Sequence, residues 1–250
     1  MFNSPRTVAV LLPLTVLMLV CCGHAAAFSG DEILAQVDQF RNLWDSYVVN
    51  LVLENRMDSV PTKTFEFEVY IQGKDDSLAK FLAPPSEKGK LLLTTKDGMY
   101  FYVPSTSRPI RISPIQRLLG PVSNSDVART YFSEDYNVAA TRTATEGADS
   151  FIVLDLSAKN KNVGYSRIEL WVTSGLLRPY KALYYVVSGK LVKTCYYEGF
   201  VKTDHGWTYS VIRVENALNR RETTTMTIRK AYPKQFPAYY FSREYLPKIR

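Results

Sequence analysis

Alternation of apolar and polar side chains dominates this chain. From Thr64 to Ile71, Phe65, Phe67, Val69 and Ile71 fall on one side and Glu66 and Glu68 on the other, the period-2 signature of a half-buried strand. Similar strand patterns occupy Tyr47–Leu53, Ser77–Leu82, Lys90–Thr95 and Met99–Val103. They resume at Phe151–Leu156, Arg167–Val172, Tyr180–Val187, Leu191–Phe200, Thr208–Val214 and Thr223–Lys230. Turn signals separate them: Gly73 to Asp76, Lys96-Asp97-Gly98, Thr173-Ser174-Gly175, Ser188-Gly189 and Thr203 to Gly206. Asp-Gly between strand-like runs is a strong hairpin signal. Many short strands joined by tight turns predict an antiparallel meander, either a barrel or a strongly curved sheet.

Two segments follow a different rhythm. Ile33, Val37, Phe40 and Trp44 recur every three or four residues, which predicts an amphipathic helix over Asp31–Trp44, capped by Ser29 or Gly30. That face would pack on a sheet or plug the mouth of a cavity. Between strands, Pro114–Tyr131 reads as two short helical pieces around Gly120-Pro121, the second capped by Asn124 or Ser125 with Asp126 in its first turn. Such an insert can cover a sheet edge or serve as a lid. The tail from Pro233 carries Phe236, Tyr239, Tyr240, Phe241, Tyr245 and Leu246. That much aromatic surface is expected to dock on the body.

The beginning of the chain has a separate logic. Met1–Ala27 carries one charged side chain, Arg6, then an apolar run from Val8 to Val20 and a small-residue site at Ala25-Ala26-Ala27. This is the layout of a secretory signal peptide, and the run falls short of the ~20 residues that span a bilayer. Residues 28–250 then form a single domain of an exported protein. Cys21 and Cys22 offer a competing processing route, lipidation, which would leave the protein tethered to a membrane. Beyond the leader the only cysteine is Cys195, so the body folds without an internal disulfide.

Composition narrows the chemistry. The net charge of +7 is diffuse, compatible with anionic lipid or acidic partners. Arg108, Arg111, Arg117 and Arg129 interleave with apolar residues, but an export signal argues against a nucleic-acid partner. Beyond the leader the one histidine is His205, in a polar turn, and a nucleophilic triad needs a histidine oriented beside its nucleophile. Cys195 sits in a strand pattern and reads as a buried, inert thiol. These two cannot build the usual nitrogen–sulfur zinc site, and no phosphate-cradling glycine pattern is present. No metal and no cofactor is expected, and the chain is expected not to be an enzyme. Asp126, Glu134 and Asp135 keep a carboxylate-dependent hydrolase as a weaker alternative.

Residues 81–136 carry a more specific pattern. In order it comprises Phe-x-x-Pro at Phe81–Pro84, Lys-Gly-Lys-x-Leu-Leu at Lys88–Leu93, Tyr-x-Tyr-x-Pro at Tyr100–Pro104 and Arg-x-x-Arg-Ile at Arg108–Ile112. Ser125-Asp126 then enters a helix ahead of Glu134–Tyr136. This resembles the outer-membrane lipoprotein-sorting protein family, similar to the periplasmic (LolA/LolB-like) lipoprotein carriers. The resemblance implies an incomplete antiparallel β-barrel, mainly β with helices covering an apolar cavity for acyl chains. It implies a periplasmic carrier of lipids or lipoproteins, with an inner-membrane transporter as partner and peripheral membrane contact. A non-enzymatic accessory subunit of an envelope lipid transporter is the alternative.

On that expectation, strand parity nominates cavity residues: Phe65, Phe67 and Val69; Leu91 and Leu93; Met99, Phe101 and Val103; Leu170 and Val172. Each could equally fill an ordinary core. Arg108 and Arg111 are rim candidates, for a lipid head group or for holding a lid, and otherwise a solvated strand edge. Leu118 and Leu119 fall in the candidate lid.

Overall fold

The computed structural model describes residues 28–106, 108–128 and 131–249. The leader expected at residues 1–27, with Cys21 and Cys22, lies outside the described residues, as does Arg129. Helix α1 spans Gly30–Gln39. Ser29 and Glu32 form a reciprocal capping box at its start, which satisfies amide groups that the first turn leaves unpaired. Ile33, Leu34, Val37 and Phe40 are buried. The helix ends earlier than its apolar spacing predicts, so Trp44 lies beyond it in a connecting segment. The Thr208 hydroxyl donates to the Phe40 carbonyl at 2.6 Å and pins that end to the sheet.

In chain order the strands are β1 (Ser46–Met57), β2 (Val60–Gln72), β3 (Asp76–Ala83), β4 (Leu91–Thr95), β5 (Gly98–Tyr102), β6 (Ile110–Ile112), β7 (Arg117–Leu119) and β8 (Val122–Ser123). After α2 (Asn124–Ala128) and α3 (Phe132–Asp135) come β9 (Tyr136–Glu146), β10 (Asp149–Ala158), β11 (Arg167–Thr173), β12 (Pro179–Tyr185), β13 (Leu191–Thr203), β14 (Gly206–Asn216) and β15 (Glu222–Pro233). Thirteen strands form one sheet in the order β6-β5-β4-β3-β2-β1-β15-β14-β13-β12-β11-β10-β9. Every pairing is antiparallel. Two meandering arms are thus joined where β1 meets β15. The arms end on β6 and β9 without pairing to each other, so the sheet curves strongly but does not close into a barrel.

The two faces of this sheet bury different clusters. The concave face holds α1, Val127 and Ala128 of α2, and the inward residues of both arms. The convex face of β3–β5 is covered by the tail, whose Phe241 and Leu246 pack with Tyr70, Leu78, Leu91, Leu93, Tyr100 and Tyr102. The docking expected for the aromatic tail is therefore present. Phe236 meets Tyr70 edge-on, with centroids 5.6 Å apart. Buried on both faces, β4 reads as an apolar run rather than an alternation.

The insert between the arms corrects one expectation. The Arg117–Leu119 piece, read as helix, is a strand paired with β8 in a separate hairpin. Gly120 makes the turn at φ +55°, where a side chain is disfavoured. Its backbone also approaches Asn55 and Thr224 so closely that a Cβ would lie 2.0 Å from Asn55 Oδ1. The second piece is helical, as α2. Edge strand β6 carries Arg111 on a solvated strand edge, whereas edge strand β9 has no counterpart among the expected strands. Most of β9 is exposed, and the Thr/Ala/Arg composition of its outer half gives no apolar alternation to detect.

Candidate functional site

The concave face encloses a cavity of about 210 Å³ at the junction of the two arms. Its walls are Tyr47, Val49 and Leu51 of β1, Val69 and Ile71 of β2, Tyr209 and Ile212 of β14, and Met226 and Ile228 of β15. Trp44 and Val127 close it from the helical side. A bulge helps shape this wall. Leu51 pairs with Ile228 and Asn50 with Lys230, so Arg229 is the extra residue on β15, and bulges bend and twist a sheet locally. Exposed Val201, Arg229 and Lys230 are also in the lining, so the cavity opens to solvent at that end. Trp44 Nε1 is buried there with no hydrogen-bond partner among the described residues. Its ring meets His205 edge-on at 5.1 Å.

A smaller cavity of about 60 Å³ lies beyond Arg41, Tyr209, Ile212 and Met226, which line both spaces. Its wall is polar. Lys193 is 1 % exposed and ion-paired with Asp126 of α2. Its ammonium sits 4.4 Å and 4.5 Å from the ring centroids of Tyr165 and Tyr184. Burial opposes that charge, but the Asp126 carboxylate holds the lysine above its usual range. Asp126 Oδ2 also accepts the Ser123 amide at 2.7 Å. Arg41 Nη2 donates to the Asp126 carbonyl at 3.0 Å. At the end of α1, Asp38 accepts the amides of Phe132 and Ser133 at 2.7 and 2.9 Å, capping α3. Burial pushes the Asp38 carboxyl up despite these donors. The helical cover is thus fastened by buried polar contacts while the main cavity wall is largely apolar. Such an arrangement can admit an apolar guest once the cover shifts.

The residues nominated by parity distribute unevenly around this site. Val69 is among the lining residues. Phe65, Phe67 and Phe101 instead pack with Phe81 in an edge-to-face cluster that fills the β2–β5 arm, and Met99 is buried in the same core. Leu170 and Val172 are fully buried in the core of the other arm. Leu91 and Leu93 belong to the opposite face: they lie beneath the tail, and Leu92 is the inward residue of β4. Their assignment to the cavity is corrected, because parity groups residues without saying which group is concave. Val103 follows β5 and is half-buried. Arg108 is exposed, and Arg111 donates to the Asp97 carbonyl at 2.8 Å across the β4–β5 turn; neither lines the cavity. Leu118 and Leu119 pack on the concave core from the β7–β8 hairpin, not from a helix.

Other candidate groups have plain structural occupations. Cys195 is buried, and burial pushes its thiol up to about 12. His205 is exposed in the β13–β14 turn. Asp126 pairs with Lys193 and Glu134 with Lys74. Arg41 and the Lys193–Asp126 pair escaped the sequence reading. The available signal was a lysine at an inward position of the alternation Lys193, Cys195, Tyr197.

The fold has counterparts. A family model described as "uncharacterized protein"-like matches residues 73–248. No protein of the curated set matches. Among solved structures, a LolA superfamily protein from Nitrosomonas europaea is 31% identical. The match covers 88% of this chain and 100% of that one, with a TM-score of 0.82. A domain assigned to outer membrane lipoprotein sorting, from Vibrio parahaemolyticus, is 18% identical over 86% of this chain and 97% of that one, with a TM-score of 0.71. At that identity the second likeness speaks to the fold alone. By the first, over nearly its whole length, the chain belongs to the LolA superfamily.

Proposed function

We propose that the protein is a non-enzymatic carrier that holds acyl chains of lipids or lipoproteins in the cavity of the concave face and moves them between membranes. In this reading residues 1–27 are an export leader and residues 28–250 one carrier domain working in the periplasm. An inner-membrane transporter loads it, and the cavity mouth makes peripheral contact with a membrane. If Cys22 is lipidated, the same domain works tethered.

The observation that carries this reading is an apolar-walled cavity of about 210 Å³ at the junction of the arms. A dry cavity of about 150 Å³ suffices to bind benzene, whereas drug-sized ligands occupy roughly 300–1,000 Å³. The cavity therefore admits a short apolar segment as it stands. A full acyl chain requires α2 and the β7–β8 hairpin to move outward. Burying about eight methylenes contributes about 6 kcal/mol, enough for reversible carriage without covalent chemistry.

Uptake of a fluorescent fatty acyl probe tests it. Ile228→Glu puts a charge in the wall and should abolish uptake, and Ile71→Trp should reduce it by filling the space. Both variants should keep the far-ultraviolet circular dichroism of the parent. Unchanged uptake in folded variants would remove this cavity from the account. A protein that takes up no probe at all would favour the accessory-subunit reading.

A further inference from the structure

Arg41 is the one cation shared by the linings of both cavities. It is half-buried, and among the described residues it forms no ion pair. Among the described residues its guanidinium donates one hydrogen bond, from Nη2 to the Asp126 carbonyl. A guanidinium carries five N–H donors, so donor capacity remains. A cation taken from water without an anionic partner is costly. Tyr209 lines both cavities beside it, and its hydroxyl has no hydrogen-bond partner among the described residues. Around these two groups stand apolar walls from Leu51, Ile71, Ile212 and Met226. The site therefore couples a cation that forms no ion pair among the described residues, with Asp126 and Asp135 on the far wall of the smaller cavity, to a hydroxyl and an apolar channel that opens at Val201.

We propose that this site takes a single-chain acidic amphiphile: an acyl chain whose terminal carboxylate is held by the Arg41 guanidinium and the Tyr209 hydroxyl, with the chain running along the apolar wall toward the mouth. The proposal rests on the carrier reading and adds a head-group requirement to it. A planar guanidinium matches a carboxylate in two parallel hydrogen bonds. The anion neutralises the half-buried charge, and the chain fills space that the closed cover leaves open. Entry is head first, so this cargo leaves its apolar end nearest the mouth, where it can pass directly into a bilayer. A phosphate in place of the carboxylate would use the same donors.

Isothermal titration of the full exported chain, below micellar concentrations, tests the assignment with decanoate, decyl phosphate, 1-decanol and decyltrimethylammonium. Decanoate should bind at least about tenfold more tightly than 1-decanol, as expected for hydrogen bonds to a charged group, and the cationic ligand most weakly. Arg41→Gln should collapse the decanoate-to-decanol ratio toward one. Arg41→Lys should restore part of it, and Tyr209→Phe should lower it about threefold. A still tighter decyl phosphate would keep the anion site and identify its head group. Equal binding of decanoate and 1-decanol, or a ratio that survives Arg41→Gln, overturns the anion site while leaving the carrier reading intact. Failure of all four ligands to bind overturns both. Should Arg41→Gln lose its fold by circular dichroism, the ratio in Arg41→Lys and Tyr209→Phe decides.

Discussion

Replacing Asp126 by Asn removes one charge and little else. The amide has nearly the same shape, and the bond from Arg41 goes to the backbone carbonyl, which remains. What changes is Lys193, 1 % exposed and left without its partner. Breaking a buried pair by removing one member typically costs about 3–5 kcal/mol. The lysine can also escape by losing its proton. From its ordinary value of 10.5, that costs about 5 kcal/mol at pH 7 but only about 0.7 kcal/mol at pH 10, at about 1.36 kcal/mol per unit. The deficit of the variant should therefore be about 3–5 kcal/mol at pH 7 and shrink to about 1 kcal/mol or less at pH 10. The parent behaves differently over this range. Its Lys193 titrates above the ordinary value when folded, so the stabilisation is fully present below pH 10.5 and declines only as pH rises further, through the folded value. Urea unfolding followed by circular dichroism at pH 7 and pH 10 reads both numbers. At pH 7 the midpoint temperature should drop by about 6–20 °C. Asp126→Asn combined with Lys193→Met should recover most of the loss. A deficit under about 1 kcal/mol at pH 7, or one that does not shrink by pH 10, would refute the assignment of this pair as a buried, charge-compensated fastening of α2.

Two further substitutions probe the frame around the site. Phe241→Ala removes a buried ring from the tail cluster and should cost about 3–5 kcal/mol in urea unfolding. Acyl-probe uptake by the folded fraction should persist, because this cluster lies on the face opposite the cavity. Gly120→Ala combines a left-handed backbone with a Cβ 2.0 Å from Asn55 Oδ1 and 2.3 Å from Thr224 Oγ1. It should lower stability by at least about 2 kcal/mol and disturb the hydrogen bond between those two side chains, visible as shifted amide resonances in β1 and β15.

Where one face of a strand was solvated, the sequence was readable. Phe65, Phe67, Val69 and Ile71 alternate with Glu66 and Glu68, and β2 lies there with those apolar residues buried. At Leu91–Leu93 the alternation is absent for a physical reason. All three are buried because the tail covers the convex side, and period 2 cannot distinguish two buried faces. Ile115 to Leu119 carries helix-favouring residues, but the hairpin is imposed by long-range packing of Leu119 and the turn at Gly120. Apart from Val69, the lining of the expected cavity is not legible in the sequence, for a related reason. Its walls come from β1, β2, β14 and β15, which become neighbours only through the β1–β15 pairing. No local motif announces a contact between segments that far apart. Asp126 was read as a charge in the first turn of a helix, which it is; its partner Lys193 lies 67 residues away.

The resemblance in residues 81–136 reached the correct superfamily from motifs that mostly support the arm rather than the site. Phe81 anchors the aromatic cluster, and Lys88–Leu93 leads into β4 beneath the tail.

Whether the cavity holds acyl chains is read by native mass spectrometry of the protein purified gently from the cell envelope. Adduct masses of acyl lipids should be present, vanish on delipidation, return on incubation with lipid, and be absent from folded Ile228→Glu. An unadorned mass throughout, with no adduct after incubation, would contradict acyl-chain binding in the cavity.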